Sequence, residues 1–176
     1  MRQPRSGNAR PHLRVLAAGL AAALLSAEAG AQGDRSVEIK AVAGYAGFID
    51  EALLDHFVVG GAARIPLSPE WDLEPEFLYM RQSPRHDDLS FQAGAAWTFW
   101  RGPRAETYLV GAVGVLHSRF EFPGARDPRF SSNKFTGGGG AGLRLGWGDR
   151  LVLTPEARLG WEPLVRFTIG IGYEFD

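Results

Sequence analysis

From residue 36 onward, apolar and polar side chains alternate along the chain with a period of two. The pattern is cleanest in Leu164 to Asp176. There Val165, Phe167, Ile169, Ile171, Tyr173 and Phe175 share one face, and Arg166, Thr168, Gly170, Gly172 and Glu174 share the other. Successive side chains of a strand point to opposite faces, so this stretch predicts a strand with one greasy face and one small, hydroxylated or charged face.

Seven earlier segments repeat the pattern. Ser36 to Phe48 sets Val37, Ile39, Ala41, Ala43 and Tyr45 against Glu38, Lys40, Val42 and Gly44. Phe57 to Leu67 sets Phe57, Val59, Ala63, Ile65 and Leu67 against Arg64. In Trp71 to Arg81 the apolar face is Trp71, Leu73, Phe77 and Tyr79, and the acidic face is Asp72, Glu74 and Glu76. Pro75 interrupts it, since proline cannot donate to a ladder. Leu89 to Trp100 sets Leu89, Phe91, Ala93, Ala95, Trp97 and Phe99 against Ser90, Gln92, Gly94, Ala96 and Thr98. Glu106 to His117 alternates weakly, with Leu109, Val113 and Val115 opposing Tyr108, Val110, Ala112 and Leu116. Lys134 to Trp147 sets Phe135, Ala141, Leu143, Leu145 and Trp147 against Lys134, Thr136, glycines and Arg144. Leu151 to Trp161 sets Leu151, Leu153, Ala157, Leu159 and Trp161 against Thr154, Glu156 and Arg158.

Two architectures fit such strands. A soluble domain turns the greasy faces into its core. A transmembrane barrel turns them toward lipid and encloses the polar ones. The connections bear on the choice. Those at Ser68, Arg101 and Gly148 read as short turns, and those at Ile49, Ser83 to Asp88 and Ser118 to Asn133 read as longer loops. Short turns at one end and longer loops at the other are usual in outer-membrane barrels. The short connection at Glu162 departs from that trend.

Aromatics supply a second test. One set, including Trp71, Phe99, Trp100, Tyr108, Trp147, Tyr173 and Phe175, falls at the short-turn ends of the strands; another, including Tyr45, Phe57, Tyr79, Phe120, Phe135, Trp161 and Phe167, falls at the long-loop ends. Strand middles are mostly Ala, Gly, Val, Ile and Leu. Two bands, one at each rim, are what headgroup regions select. The girdle expected from this pattern comprises Trp71, Trp97, Phe99, Trp100, Tyr108, Trp147, Trp161, Tyr173 and Phe175. The fold class that follows is all-β, an eight-stranded antiparallel up-and-down transmembrane β-barrel.

The first residues belong to a different kind of segment. Arg2, Arg5, Arg10 and Arg14 precede a short Ala/Leu run, Val15 to Leu25, and then Ala27-Glu28-Ala29 and Ala29-Gly30-Ala31. That is the layout of a cleaved, helical secretory signal peptide. Residues 1–31 are expected to be the leader, with cleavage after Ala31 or Ala29, and residues 32–176 the barrel. The apolar run is shorter than the roughly 20 residues a membrane-spanning helix needs. The sequence contains no cysteine, so the exported domain is expected to rely on hydrogen bonding and burial without disulfides. A formal net charge of -1 gives no reason to expect a nucleic-acid partner.

The leader, the even set of alternating strands and the terminal Phe167-Thr168-Ile169-Gly170-Ile171-Gly172-Tyr173-Glu174-Phe175 together resemble the small OmpA/OmpX-type outer-membrane β-barrel family. The resemblance covers essentially all of residues 32–176. It implies an outer-membrane location, contact with outer-membrane lipid and lipopolysaccharide, and recognition of the C-terminal strand by the barrel-assembly machinery. Family members usually end on the terminal aromatic, whereas Asp176 follows Phe175 here. No peptidoglycan-binding domain is expected after the barrel, so the resemblance does not imply a wall anchor.

Candidate chemistry concentrates on the polar faces. Glu38, Lys40, Arg64, Asp72, Glu74, Glu76, Arg144, Glu156, Arg158, Arg166 and Glu174 would all point into the lumen. An eight-stranded barrel has just enough interior for side chains to fill, so these charges must pair or meet water. A hairpin centred on Glu162 brings Arg158 opposite Arg166, with Glu74, Glu76 and Glu156 able to reach across. A structural plug built on Arg64, Glu74, Glu76, Arg144, Glu156, Arg158 and Arg166 is the expectation; a narrow ion or solute pore is the alternative. A soluble periplasmic lipocalin-like carrier, with greasy faces inward, is the competing class.

The G-x-G-x-x-G string in Gly137 to Gly142 lies inside one strand, which argues against a nucleotide loop and for close strand approach. His117 and Ser118 are neighbours on a strand, so they cannot form a base–nucleophile pair. His86, Asp87 and Asp88 read as a solvated loop cluster, and no spacing stands out as a metal site. No catalytic residue, cofactor or metal is expected. Ser118 to Asn133 mixes Arg119, Arg126 and Arg129 with Phe120, Phe122 and Phe130, a composition suited to a loop-bound partner of unknown kind or to an inert rim.

Overall fold

A computed structural model describes residues 35–48, 56–83, 86–121, 129–161 and 164–175. Eight strands run in chain order: β1 (Val37–Phe48), β2 (His56–Pro66), β3 (Trp71–Ser83), β4 (His86–Arg101), β5 (Ala105–Glu121), β6 (Arg129–Trp147), β7 (Leu151–Gly160) and β8 (Leu164–Phe175). Each pairs antiparallel with its neighbours in sequence, and β8 pairs back onto β1 to close the barrel. Closure leaves no sheet edge with unpaired amides, the condition any β-structure must meet inside a bilayer. The expected leader, residues 1–31, and its helix lie outside the described residues. No helix among the described residues is long and apolar enough to cross a membrane.

The alternation orients the whole wall. Phe167, Ile169 and Ile171 on β8 are 50%, 56% and 61% exposed, while Arg166 between them and the rim is buried at 3%. Ile39, Phe77, Leu109, Val113, Leu143 and Leu159 continue the exposed apolar surface around the cylinder. Glu38, Lys40, Arg64, Glu74, Glu76, Glu156 and Arg158 are buried. Interior and exterior are therefore inverted relative to a soluble protein. A lipocalin-like carrier would need the apolar faces inside, so this orientation speaks against that alternative.

The strands are longer than the sequence pattern implies on one side. β4, β5 and β6 span 16, 17 and 19 residues, against 10 for β7. The expected loop from Ser83 to Asp88 is mostly strand: β3 runs to Ser83 and β4 begins at His86. The expected long connection from Ser118 to Asn133 is also mostly ladder, with Ser118 facing Ser132 and Arg119 facing Ser131 in register. Polar residues continue a ladder as well as apolar ones do, because the backbone makes the bonds. Their composition had marked the segment as a loop. Arg126 and Phe122 lie outside the described residues. The difference between short and long connections is thus smaller than expected, since two residues separate β3 from β4.

Candidate functional site

Side chains fill the lumen in layers. Near the short-turn end, Arg144 donates to three acids: Nε to Glu38 Oε2 at 2.9 Å, Nη1 to Glu106 Oε2 at 2.7 Å and Nη2 to Glu174 Oε1 at 2.7 Å. On the opposite wall, Arg64 Nε donates to Asp72 Oδ2 at 2.7 Å, and Arg35 pairs with the same carboxylate at 3.0 Å. The Arg64 guanidinium lies 4.3 Å over the ring of Tyr108, a cation–π contact.

Further in, Glu74 accepts from Lys40 Nζ at 2.9 Å and from Arg158 Nη2 at 2.6 Å. Arg158 also donates to Glu156 Oε1 at 2.5 Å. Arg166 grips Glu76 with two bonds, Nη1 to Oε1 at 2.7 Å and Nη2 to Oε2 at 3.0 Å. Arg158 and Arg166 are direct register partners on β7 and β8, the pairing expected from the sequence. Two guanidinium groups side by side repel unless acids intervene, and Glu156 touches both. These pairs join strands far apart in sequence, β3 with β7 and β3 with β8.

Beyond the ions lies an apolar layer of Val42, Ala46, Val58, Leu78, Met80 and Leu116, all buried. A cavity of about 20 Å³ against Arg158 and Arg166 is the size of about one water.

Each residue of the expected network, Arg64, Glu74, Glu76, Arg144, Glu156, Arg158 and Arg166, lies inside the barrel with an opposite charge in contact. Glu106 belongs to the network as well and was missed, because β5 alternates too weakly to orient its start. Parity carries the missing signal: Glu106 shares a face with Tyr108, Val110 and Ala112.

That parity corrects one girdle assignment. Tyr108 does not face outward. It is fully buried in the lumen, where its hydroxyl donates to Glu156 Oε2 at 2.8 Å. Its ring lies over Gly142, its register partner, where any Cβ would collide with it. One residue of the glycine string is thereby explained by a large side chain from the neighbouring strand. Gly172 likewise leaves room for the Glu38 carboxylate.

The other girdle residues, Trp71, Trp97, Phe99, Trp100, Trp147, Trp161, Tyr173 and Phe175, are exposed. At the short-turn end Trp71 stacks on Trp97 at 6.3 Å, and Tyr173 meets Phe175 edge-on at 4.8 Å. At the other end Tyr45 meets Phe57 at 5.7 Å and sits beside Phe167 in register. From Phe167 to Phe175 the strand rises about 26 Å at 3.3 Å per residue. With a barrel tilt near 40° that is about 20 Å along the axis, of the order of a bilayer's apolar band.

His117 and Ser118 lie on opposite faces of β5; His117 Nδ1 contacts Asn133 Oδ1 at 2.6 Å, and Ser118 is buried. His86, Asp87 and Asp88 depart from the solvated-loop expectation. They open β4, and Asp88 is 1% exposed inside the barrel mouth.

No family model matches the chain, and no curated protein matches it by sequence. Solved structures do. The N-terminal β-barrel domain of Pseudomonas aeruginosa OprF aligns over 82% of this chain and 100% of its own, with 18% identity and a TM-score of 0.58. Neisserial surface protein A aligns over 79% and 96%, with 12% identity and a TM-score of 0.64. Ail, the attachment invasion locus protein of Yersinia pestis, aligns over 80% and 97%, with 16% identity and a TM-score of 0.57. Designed transmembrane β-barrels align as well, with 22% identity and a TM-score of 0.53. In strand number, closure and path, the chain has the fold of the small eight-stranded outer-membrane β-barrels, the OmpA/OmpX-type architecture that its terminal strand resembles.

Proposed function

We propose that this protein is exported by a cleaved leader, resides in the outer membrane, and serves there as a non-conducting, non-enzymatic scaffold for its longer connections. The observation that carries the reading is the cross-lumen pairing of Arg166 with Glu76 and of Arg158 with Glu74, with an apolar layer above them. Such a lumen holds the wall together and sets paired charges and hydrocarbon in the way of a hydrated ion. The outward apolar surface supports the location, because a contiguous face of this size is a liability in water and an anchor in lipid. Aromatics at both rims fit contact with lipid headgroups and lipopolysaccharide, and the β8 ending Tyr173-Glu174-Phe175 fits recognition by the barrel-assembly machinery.

Cell fractionation with heat-modifiable gel mobility tests the location. The protein should need detergent for extraction, and its folded band should migrate differently from the boiled one. Release by a salt wash would overturn it. The pore alternative is tested in planar bilayers, where the wild type should show no stepwise conductance.

A further inference from the structure

At the long-connection rim, above the apolar layer, the lumen carries a cluster that the ion network does not use. His56 opens β2, and His86 and Asp88 open β4. Oδ2 of Asp88 lies 3.3 Å from His86 Nε2 and 3.6 Å from His56 Nε2. All three ligand atoms fall within 4.8 Å of one another. The two imidazole rings meet edge-to-face at 5.1 Å between centroids.

Two features separate this cluster from an ordinary buried histidine pair. First, His86 Nδ1 lies 2.6 Å from Gln82 Oε1. A carbonyl oxygen only accepts, so Nδ1 carries a proton and Nε2 is the atom turned toward Asp88. Nε2 faces a carboxylate oxygen at 3.3 Å, a separation that calls for a cation between them, either a proton or a metal ion. A backing oxygen on the far nitrogen is how metal-ligating histidines are oriented. Second, among the described residues Asp88 has no Arg or Lys partner of the kind the other buried acids have. Glu38, Asp72, Glu74, Glu76 and Glu156 each contact an Arg or Lys. Among the described residues, the ion-pair partners of Asp88 are histidines alone, and its Oδ1 is buried without a hydrogen-bond partner.

The geometry points to a transition-metal site formed by His56, His86 and Asp88, binding a divalent first-row ion of the zinc type. Two imidazole nitrogens with one carboxylate suit zinc and its neighbours, and not calcium or magnesium, which take all-oxygen shells. Ligands about 2.0–2.1 Å from a tetrahedral ion stand about 3.3–3.4 Å apart, close to the separations to Asp88 Oδ2. Among the described residues three ligands are supplied, and the partial exposure of His86 gives an entry path. A bound ion ties β2 to β4 across the end of β3. Gln82 is a positioning residue. This inference needs only the barrel geometry and is independent of the proposed scaffold role.

The test uses the untagged protein purified in detergent, stripped with chelator and titrated with Zn2+ by calorimetry. Co2+ serves as a visible-absorption probe of coordination, and Ca2+ as a control. One Zn2+ per chain is expected, with a rise in the unfolding midpoint and a tetrahedral Co2+ spectrum. His86→Ala and Asp88→Asn should lose binding while keeping the folded gel mobility, and His117→Ala should bind as the wild type does. Gln82→Ala should weaken binding about tenfold, with rescue by Gln82→Glu, which keeps the acceptor oxygen. His86 is partly exposed, so His86→Ala stands as the folding-safe variant if His56→Ala does not fold. Absence of Zn2+ uptake, or uptake unchanged in folded His86→Ala, overturns the site; the cation between His86 and Asp88 is then a proton.

Discussion

Replacing Arg166 with methionine isolates the contribution of one cross-lumen pair. Arg166 is buried and holds Glu76 through two bonds at 2.7 and 3.0 Å. Methionine keeps much of the aliphatic volume, so the change removes charge more than packing. Among the described residues Glu76 then retains Arg158 alone, at 3.5 Å, a cation already engaged by Glu74 and Glu156. A buried carboxylate stripped of its partner costs about 3–5 kcal/mol. The residual contact with Arg158 and the cavity of about 20 Å³ beside it, which admits about one water, place the expected loss near the lower end, about 3 kcal/mol. Removing the second partner as well should reverse most of the loss. In Arg166→Met with Glu76→Met no charge is orphaned, and a buried pair replaced by apolar residues is often close to neutral. Guanidinium unfolding of the refolded barrel in detergent, read by tryptophan fluorescence and by the folded gel band, measures both. The double variant should lie within about 1 kcal/mol of wild type, a coupling well above the additivity error of distant sites. A single variant costing under about 1 kcal/mol, or a double variant costing the sum of its singles, would refute a lumen held by pairing.

Further tests address other parts of the wall. Ile169→Arg places a charge on the outward face of β8 and should cost about 2–4 kcal/mol in lipid if that position is near the midplane; a neutral result would mean that this face does not meet hydrocarbon. Tyr108→Phe removes the hydroxyl bonded to Glu156 and should destabilise by about 1.5–3 kcal/mol, the range for a bond to a charged group. An outward Tyr108 would show almost no change in the same unfolding assay. Gly172→Val should displace Glu38 from Arg144 and lower the unfolding midpoint, whereas Gly111→Val, where an added Cβ meets nothing within 4 Å, should not. Chelator treatment should lower the unfolding midpoint of the wild type and leave that of Asp88→Asn unchanged.

Alternation determined the strand count and the two faces of most strands, and the connection lengths with the aromatic bands at both rims pointed to the face that looks outward. The strand count and the faces depend on the two-residue repeat of a strand, which a sequence displays directly in β8 and β4. The pairing of Arg158 with Arg166 was also readable, because a hairpin fixes the register of its two strands, and two facing guanidinium groups call for acids across the lumen. Three things were decided only by closure of the barrel. Tyr108 was misplaced because β5 is apolar on both faces, and only its pairing with Gly142 and Glu156 shows which way it points. The ladders extended through Ser118–Glu121 and Arg129–Asn133 because neighbouring backbones supply the bonds whatever the side chains are. His56 and His86 lie on strands separated by β3 and meet only when the sheet curves into a cylinder. Their parity with Val58 and with Asp88 places them in the lumen, yet their mutual distance is a property of the wall's curvature, which no local sequence pattern encodes.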